Sequence, residues 1–349
     1  MNMKKYLFII AALAGLVSCS VSMSPEQESV VLNVGIKAPA MQTRATMTGT
    51  AGENRITSIQ VFVFKKNQDV YLLEAAAKAL ESTSVDVTVT AGTKNVLVLV
   101  NEPRDYTSET DRSEILSMVS NLADNTPSSM VMMGQVTSHV STSEHILEVP
   151  VNRLASRVRL CKVTNRLVNG YAAKSVRLAR VFLTGVAASV PYSPEASSSG
   201  FYATGGIASA LDLDGVAVSS ASAKAAVNSL IYKSVSSEVI ADGASYSTPV
   251  PLYGYPNDGA ARKTHLVAEL EIDGKYFTYP VELPPMERNC TCEISELVVT
   301  AIGNPSNGDD VLDPGEDEPI TFTEATFNVT VQPWTVVPVS NDADGKYTI

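Results

Sequence analysis

Residues 53–64, ENRITSIQVFVF, decide the fold. From Ile59 to Phe64 the chain is apolar on both faces, with Gln60 the lone polar residue. Strands of this kind, rich in β-branched and aromatic residues, are buried on both sides, so a central strand of a sheet is expected here. Upstream, VVLNVGIK (30–37) alternates: Leu32, Val34 and Ile36 share one face, Asn33, Gly35 and Lys37 the other. That is the pattern of a half-buried strand. Between the two lies APAMQTRATMTG (38–49), in which Arg44 is the only charge between Lys37 and Glu53.

Further upstream, MNMKKYLFIIAALAGLVSC has two lysines, an apolar run from Tyr6 to Val17 and a small-residue end. The run is short for a membrane span and reads as an export signal. Leu16-Val17-Ser18-Cys19 matches the lipobox of bacterial lipoproteins, in which the cysteine is acylated and the signal removed before it. Several acyl chains, at about 0.8 kcal/mol per buried CH₂, give lasting membrane attachment.

Downstream, short strands separated by turn clusters are expected. TSVDVTVTAG and TKNVLVLVN read as a strand pair joined at Ala91-Gly92. RSEILSMVSNLA (112–123) spaces Ile115, Met118, Val119 and Leu122 as one amphipathic helix. HILEVPV (145–151) reads as a strand. From 149 to 194 there is no acid, while Arg153, Arg157, Arg159, Lys162, Arg166, Lys174, Arg177 and Arg180 supply eight positive charges. They alternate with apolar residues, so strands with a solvated cationic face are expected, and a domain boundary is placed near 149. Residues 193–250 read as long loops with a helix at 221–231. HLVAELEIDGKYFTYPVEL (265–283) is a hairpin about Asp273-Gly274. CTCEISELVVTAIG is a further strand. GDDVLDPGEDEP (308–319), with six acids, is an exposed loop. ATFNVTVQPW (325–334) places Phe327, Val329 and Val331 on one face, and a tail with Val336, Val337 and Val339 follows.

Composition narrows the function. The chain has 349 residues, is 45% hydrophobic and 18% charged, and carries a net charge of -11. Acidity and the lack of stacking aromatics beside the basic run argue against nucleic acid. No nucleophile elbow, zinc-protease helix, phosphate loop or dinucleotide fingerprint is present, so no enzyme and no cofactor are expected. DLDG (212–215) and DADG (342–345) lack the later ligands of a calcium loop and read as turns. Cys161, Cys290 and Cys292 remain after Cys19, and with His139, His145 and His265 far off in sequence no metal site is expected. Buried free thiols are the default, with a bridge to Cys161 as the alternative.

Taken in order, the lipobox at Cys19, the early strand, Thr43-Arg44-Ala45, ENRITSIQVFVF, RLASRVRL, ERNCTCEISELVVTAIG and VTVQPW resemble the fimbrillins of the Bacteroidetes, the FimA-type subunits of type V pili. Cys290 and Cys292 depart from the pattern, standing where a larger apolar residue is expected. The resemblance implies a mainly β fold, two transthyretin-like β-sandwich domains with one or two short helices. It divides the chain into a lipoprotein signal peptide (1–18), a propeptide with a removable strand (19–44), an N-terminal sandwich (45–148) and a C-terminal sandwich with a donor tail (149–349).

The implied mechanism is donor-strand exchange. The precursor, lipidated at Cys19 and held at the outer membrane, is cut between Arg44 and Ala45 by an arginine-specific protease. The strand with Leu32, Val34 and Ile36 then leaves, and a C-terminal strand of the next subunit takes its place. Phe327, Val329 and Val331, or Val336, Val337 and Val339, are the candidate donors, with Pro338 unable to donate to a ladder. Partners are further copies of the chain, head to tail, and other anchor and tip subunits. The alternatives are an anchor or tip accessory subunit, and a surface lipoprotein that binds glycans, for which the single Trp334 offers little platform. The basic run could meet the acids of 309–318 on the next subunit, or be neutralised within one.

Overall fold

The computed structural model describes residues 29–37, 52–67, 70–201, 212–213, 216–217, 221–309, 313, 315–318, 325–333, 340–341 and 347–348. The chain is mainly β, as expected, and builds two sandwiches. The first is made of β1 (Ser29–Lys37), β2 (Ser58–Asn67), β3 (Val70–Leu80), β4 (Ser84–Thr90), β5 (Gly92–Val100), the short helix α1 (Arg112–Ser117), β6 (Val119–Asn121), β7 (Met132–Val140), β8 (Ile146–Pro150) and β9 (Asn152–Arg153). One sheet has the order β4-β1-β8, the other β3-β2-β5-β7-β9. Ile59 through Phe64 on β2 are fully buried between them, which is why that stretch carries no charge.

The second sandwich contains β10 (Ser156–Asn165), β11 (Val176–Thr184), β12 (Ala187–Pro191), β13 (Ser199–Phe201), the short pair β14 (Asp212–Leu213) and β15 (Val216–Ala217), α2 (Ala221–Ile231), β16 (Tyr232–Ser234), β17 (Ser245–Gly254), β18 (His265–Ile272), β19 (Lys275–Glu282), β20 (Cys290–Val299), β21 (Asn304–Ser306) and β22 (Ala325–Pro333). A last two-residue pair, β23 (Ser340–Asn341) and β24 (Tyr347–Thr348), lies in the tail. The two main sheets run β17-β10-β20-β22 and β16-β11-β18-β19-β21.

The second sandwich repeats the first. β10 stands where β1 does, antiparallel to β17 as β1 is to β4, and parallel to β20 as β1 is to β8. In the facing sheets β16-β11-β18-β19-β21 reproduces β3-β2-β5-β7-β9, antiparallel throughout. One strand has no counterpart: β22 adds itself to β20, while among the described residues the first sandwich ends at β8.

Several local expectations hold. β1 and β8 form where alternation puts them, and α2 occupies 221–231. Strands β18 and β19 are joined by Asp273 and Gly274 at φ 52° and 78°, the left-handed pair that a two-residue turn between twisted strands requires.

Others are corrected. TSVDVTVT and TKNVLVLV do not pair: β4 joins β1 in one sheet and β5 joins β2 and β7 in the other. The chain changes layer at Ala91-Gly92, and alternation alone does not say which sheet a strand enters. The helix expected at 112–123 is only α1; Met118 turns extended at φ -60°, ψ 151°, and Val119–Asn121 become β6 because they find β12 as an antiparallel partner. The loop region 193–250 contains β17, a ten-residue strand beside β10. VYLLEAAAKAL, to which the sequence reading assigns no element, is strand β3 along the edge of the β2 sheet. Tertiary pairing overrides propensity at each of these places.

The basic run is the largest correction. Arg153, Arg157 and Arg180 are buried, not part of a solvated face. Their partners lie within the chain: Arg157 pairs with Glu53 at 3.2 Å and Arg180 with Glu269 at 2.8 Å. Arg180 also donates to the carbonyls of Gly308 and Asp309. More exposed members do likewise, Lys162 with Glu296 at 3.0 Å and Lys174 with Asp273 at 2.7 Å. The acidic loop is not wholly exposed either, since Glu316 is buried and its carbonyl accepts from Thr278 Oγ1 at 2.7 Å.

Cys161, Cys290 and Cys292 are free thiols. Cys290 and Cys292 are buried on β20, and burial pushes the Cys292 thiol up to about 12. Cys161 is half-buried. Since the thiolate is the reactive form, native-state alkylation followed by peptide mapping is expected to label Cys161 and spare Cys290 and Cys292 until denaturant is added. Equal labelling of all three in the native protein contradicts this packing.

Candidate functional site

The first strand is the centre of its sheet. β1 pairs with β4 along seven residues, Ser29–Gly35 against Ser84–Thr90, and with β8 along five, Asn33–Lys37 against Ile146–Pro150. The ladders extend past the strand ends, Asn33 N–H donating to the His145 carbonyl at 2.8 Å and Ile36 N–H to the Thr83 carbonyl at 3.0 Å. Val30, Leu32 and Val34 are buried against the core, beside Val87, Val89 and Val149, and Ile36 is half-buried at the end of the row. Val30 belongs to this row although the expected set began at Leu32; the same alternation extends to it. On the outer face Val31 is exposed, and Asn33 Nδ2 donates to Asp86 Oδ1 at 2.7 Å. A cleft of about 440 Å³, lined in part by Leu32, His139, Val140, His145 and Leu147, opens beside the strand between β7 and β8.

Each buried aliphatic side chain contributes about 1.5–3 kcal/mol, so Val30, Leu32 and Val34 together contribute roughly 5–9 kcal/mol of burial. The backbone adds more: without β1, facing rows of donors and acceptors on β4 and β8 lose their partners over an apolar floor. The sheet therefore presents a slot that selects a strand with apolar residues at every second position.

A second cluster fixes the chain just after the segment that follows β1. Glu53, in a turn ahead of β2, is fully buried, and its carboxylate accepts from Arg157 Nη1 at 3.2 and 3.3 Å and from Tyr253 Oη at 2.6 Å. Its carbonyl accepts from Arg153 Nε and Nη2, both at 3.1 Å, and Arg153 also donates to Asn54 Oδ1 and to Asn289 Oδ1. Arg157 Nε reaches Thr291 Oγ1 at 3.2 Å. Burial pulls the Arg153 guanidinium down to about 10, with Glu53 opposing the shift, and burial together with the Glu53 charge holds the Tyr253 phenol above its ordinary range. The start of β2 is thus tied by charge and hydrogen bonds to β10, β17 and β20 of the other sandwich.

A parallel network joins the sandwiches elsewhere. Tyr192 donates to the Glu102 carboxylate, which also accepts from Arg104 Nε at 2.6 Å. Tyr255 Oη meets Ser120 Oγ and Asn125 Nδ2, both at 2.7 Å.

Of the residues singled out in the sequence, Leu32, Val34 and Ile36 are brought together on β1. Phe327, Val329 and Val331 lie on β22, in register with Leu297, Ile294 and Cys292 of β20, so this candidate donor already holds a place in its own sheet. Cys19, Arg44, Ala45, Val336, Val337 and Val339 fall outside the described residues.

Residues 29–161 match the family model described as major fimbrial subunit protein (FimA). The match starts on the first residue of β1 and ends within β10, so it takes in the whole first sandwich. The match spans a little over a third of the chain.

The likeness of fold runs further than the family match. A solved Bacteroides eggerthii structure described as a cell adhesion protein aligns over 90% of this chain and 98% of its own, at 16% identity and a TM-score of 0.63. A Parabacteroides distasonis structure described in the same terms aligns over 88% and 97%, at 16% identity and 0.60. A fimbrilin (FimA) from Porphyromonas gingivalis aligns over 88% and 98%, at 14% identity and 0.56. At these identities the likeness is one of fold. No curated protein matches the sequence.

In the first sandwich, then, the row on β1 was legible from alternation, whereas the Glu53 cluster was not. Its one signal was a basic run with no acid of its own between 149 and 194, which had to find a carboxylate elsewhere. Replacing Glu53 with Gln leaves the buried Arg157 guanidinium facing a neutral amide. A loss of about 3–5 kcal/mol in urea unfolding is expected for E53Q, and about 1–3 kcal/mol for Y253F, which removes a single donor. A loss under about 0.5 kcal/mol for E53Q contradicts the role assigned to this cluster.

Proposed function

We propose that this chain is the shaft subunit of an adhesive surface fimbria, exported as a lipoprotein acylated at Cys19, cut between Arg44 and Ala45, and polymerised head to tail by strand exchange. The observation that carries the reading is the position of β1. The first of the described strands is the middle strand of its sheet, so loss of residues up to Arg44 empties a slot between two strands instead of trimming an edge. An emptied slot with an apolar floor binds any strand of matching period. A strand given by one copy to the next makes a contact that does not close on itself, and such contacts grow into filaments.

The donor is best sought beyond β22. Residues 325–333 are paired with β20 from Cys290 to Val299, so giving them away strips the edge of the donor's own sheet. Val336, Val337 and Val339 follow in sequence and offer apolar side chains outside β22. The partners on this reading are other copies of the chain, anchor and tip subunits, an arginine-specific protease, and the outer membrane through the precursor's lipid. An anchor subunit would keep its lipid and its first strand; the presence of both Arg44 and a strand-bearing tail favours the shaft.

Treating the purified precursor with an arginine-specific protease is expected to expose Ala45 as the new N-terminus and then to give a ladder of oligomers resistant to SDS. Arg44→Ala should abolish both. Truncation after Pro333 should leave cleavage intact and stop the ladder, while the urea midpoint of the uncleaved precursor changes little. A ladder that survives Arg44→Ala sinks the mechanism, and one that survives the truncation moves the donor back to β22.

A further inference from the structure

Eleven residues after Arg44 the sequence carries a second arginine, Arg55. Arg55 sits in the turn just ahead of β2 with its side chain 58% exposed, and its contact to Glu81 is a loose 3.6 Å. By exposure and chemistry, the Arg55–Ile56 bond is a substrate for the same class of protease as Arg44–Ala45. The consequences of the two cuts differ. A cut after Arg44 leaves Glu53 on the body of the protein, whereas a cut after Arg55 severs Glu53 from β2 and removes the carboxylate that Arg157 and Tyr253 hold.

The backbone around Arg55–Ile56 is held on both sides. The Arg55 carbonyl, the group a protease must polarise, accepts from Asn101 Nδ2 at 2.8 Å. Two residues on, Thr57 N–H donates to Asn101 Oδ1 at 2.8 Å, and Thr57 Oγ1 to the same oxygen at 3.1 Å. The Thr57 carbonyl accepts from Glu81 N–H at 2.9 Å, and Arg55 N–H donates to the Gly52 carbonyl at 3.1 Å. Upstream, Arg153 holds the Glu53 carbonyl and the Asn54 side chain.

Asn101 is itself immobilised. It is buried, with φ 59°, a left-handed conformation that asparagine tolerates better than most residues. Its Nδ2 also donates to the Met130 carbonyl at 2.9 Å, and its N–H to the Ser58 carbonyl at 3.0 Å. One side chain thus bridges the scissile carbonyl and the amide beyond it. A protease binds its substrate as an extended strand, so cleavage here requires this bridge to open first.

We infer that Asn101, backed by Arg153, is the specificity-determining group that withholds the exposed Arg55–Ile56 bond from the arginine-specific protease. The inference rests on the reading that Arg44–Ala45 is the processed bond, and it assigns to the fold, not to the protease, the choice between the two arginines.

The test follows new N-termini by mass spectrometry while the full-length precursor is digested with an arginine-specific protease. In the wild type, Ala45 should appear and Ile56 should not. Asn101→Gly tolerates the left-handed backbone and removes the bridge, so Ile56 should appear at least about tenfold faster. The bonds after Arg157 and Arg180, buried in β10 and β11, report on the fold: they should stay uncut. If they open, Asn101→Asp, which keeps the acceptor for Thr57 and loses the donor to Arg55, takes its place. A measurement without any variant is hydrogen exchange at the Thr57 amide, expected to be as slow as the interior of β2. Release of Ile56 from the wild type as fast as Ala45, fast exchange at Thr57, or no gain at Arg55 in a folded variant each overturns the inference. Absence of Ala45, with Ile56 silent in the wild type and released from Asn101→Gly, removes the Arg44 reading and leaves the shielding of Arg55 standing.

Discussion

The constraint on which the rest depends is that β1 is hydrogen-bonded on both sides while its inner side chains are in the core. An edge strand of the same sequence would be a dispensable flap. A middle strand cannot leave without unpairing β4 and β8 together and uncovering Val87, Val89 and Val149. The first sandwich therefore demands that the position be filled, by its own first segment or by something of the same period. The demand is for pattern more than identity. Val30, Leu32 and Val34 are medium-sized aliphatics, and volume-conserving swaps among such residues are tolerated. Polarity on the inner face is not, because an unpaired polar group there costs about 1–3 kcal/mol.

A first sandwich of two small sheets needs the rest of the body to stay in register. The buried contacts between the two sandwiches supply that. Glu53 ties the start of β2 to β10 and β17, Tyr192 and Tyr255 reach Glu102, Ser120 and Asn125, and β6 pairs with β12. These are polar groups satisfied away from water, which fixes geometry more strictly than apolar contact, since each has few alternative partners. The clasp at Glu53 holds the start of β2 through Arg153, Arg157 and Tyr253.

Much of this was legible in the sequence, and the failures share a cause. The two-residue turn at Asp273-Gly274, the alternation of β1, the doubly apolar β2 and helix α2 are all set by local chemistry, and each stands where the pattern put it. What was not legible depends on partners far along the chain. Nothing in TSVDVTVTAG says that β4 turns away from β5 to pair with β1. Nothing local says that VYLLEAAAKAL is a strand, because its alanines favour helix and only the edge of β2 makes it extended. The arginines of 153–180 alternate like a solvated face, but their carboxylates, Glu53 and Glu269, lie about 100 residues away on either side. Burial of a charge is decided by whether its partner arrives, and a periodicity has no access to that.

The repeat of one topology in two sandwiches sharpens the reading of the C-terminus. β10 corresponds to β1 but cannot leave, being continuous with the chain on both sides and flanked by β17 and β20. Among the described residues, β22 on β20 is a strand of the second sandwich's main sheets that the first sandwich does not repeat. On the proposed reading, the strand to be vacated precedes β2 and the extra strand β22 follows the common plan of the second sandwich. Two identical sandwiches in tandem could not specify such a polarity. On that reading a slot opened in one copy and a strand supplied by the next meet head to tail, which is the arrangement a filament of like subunits requires.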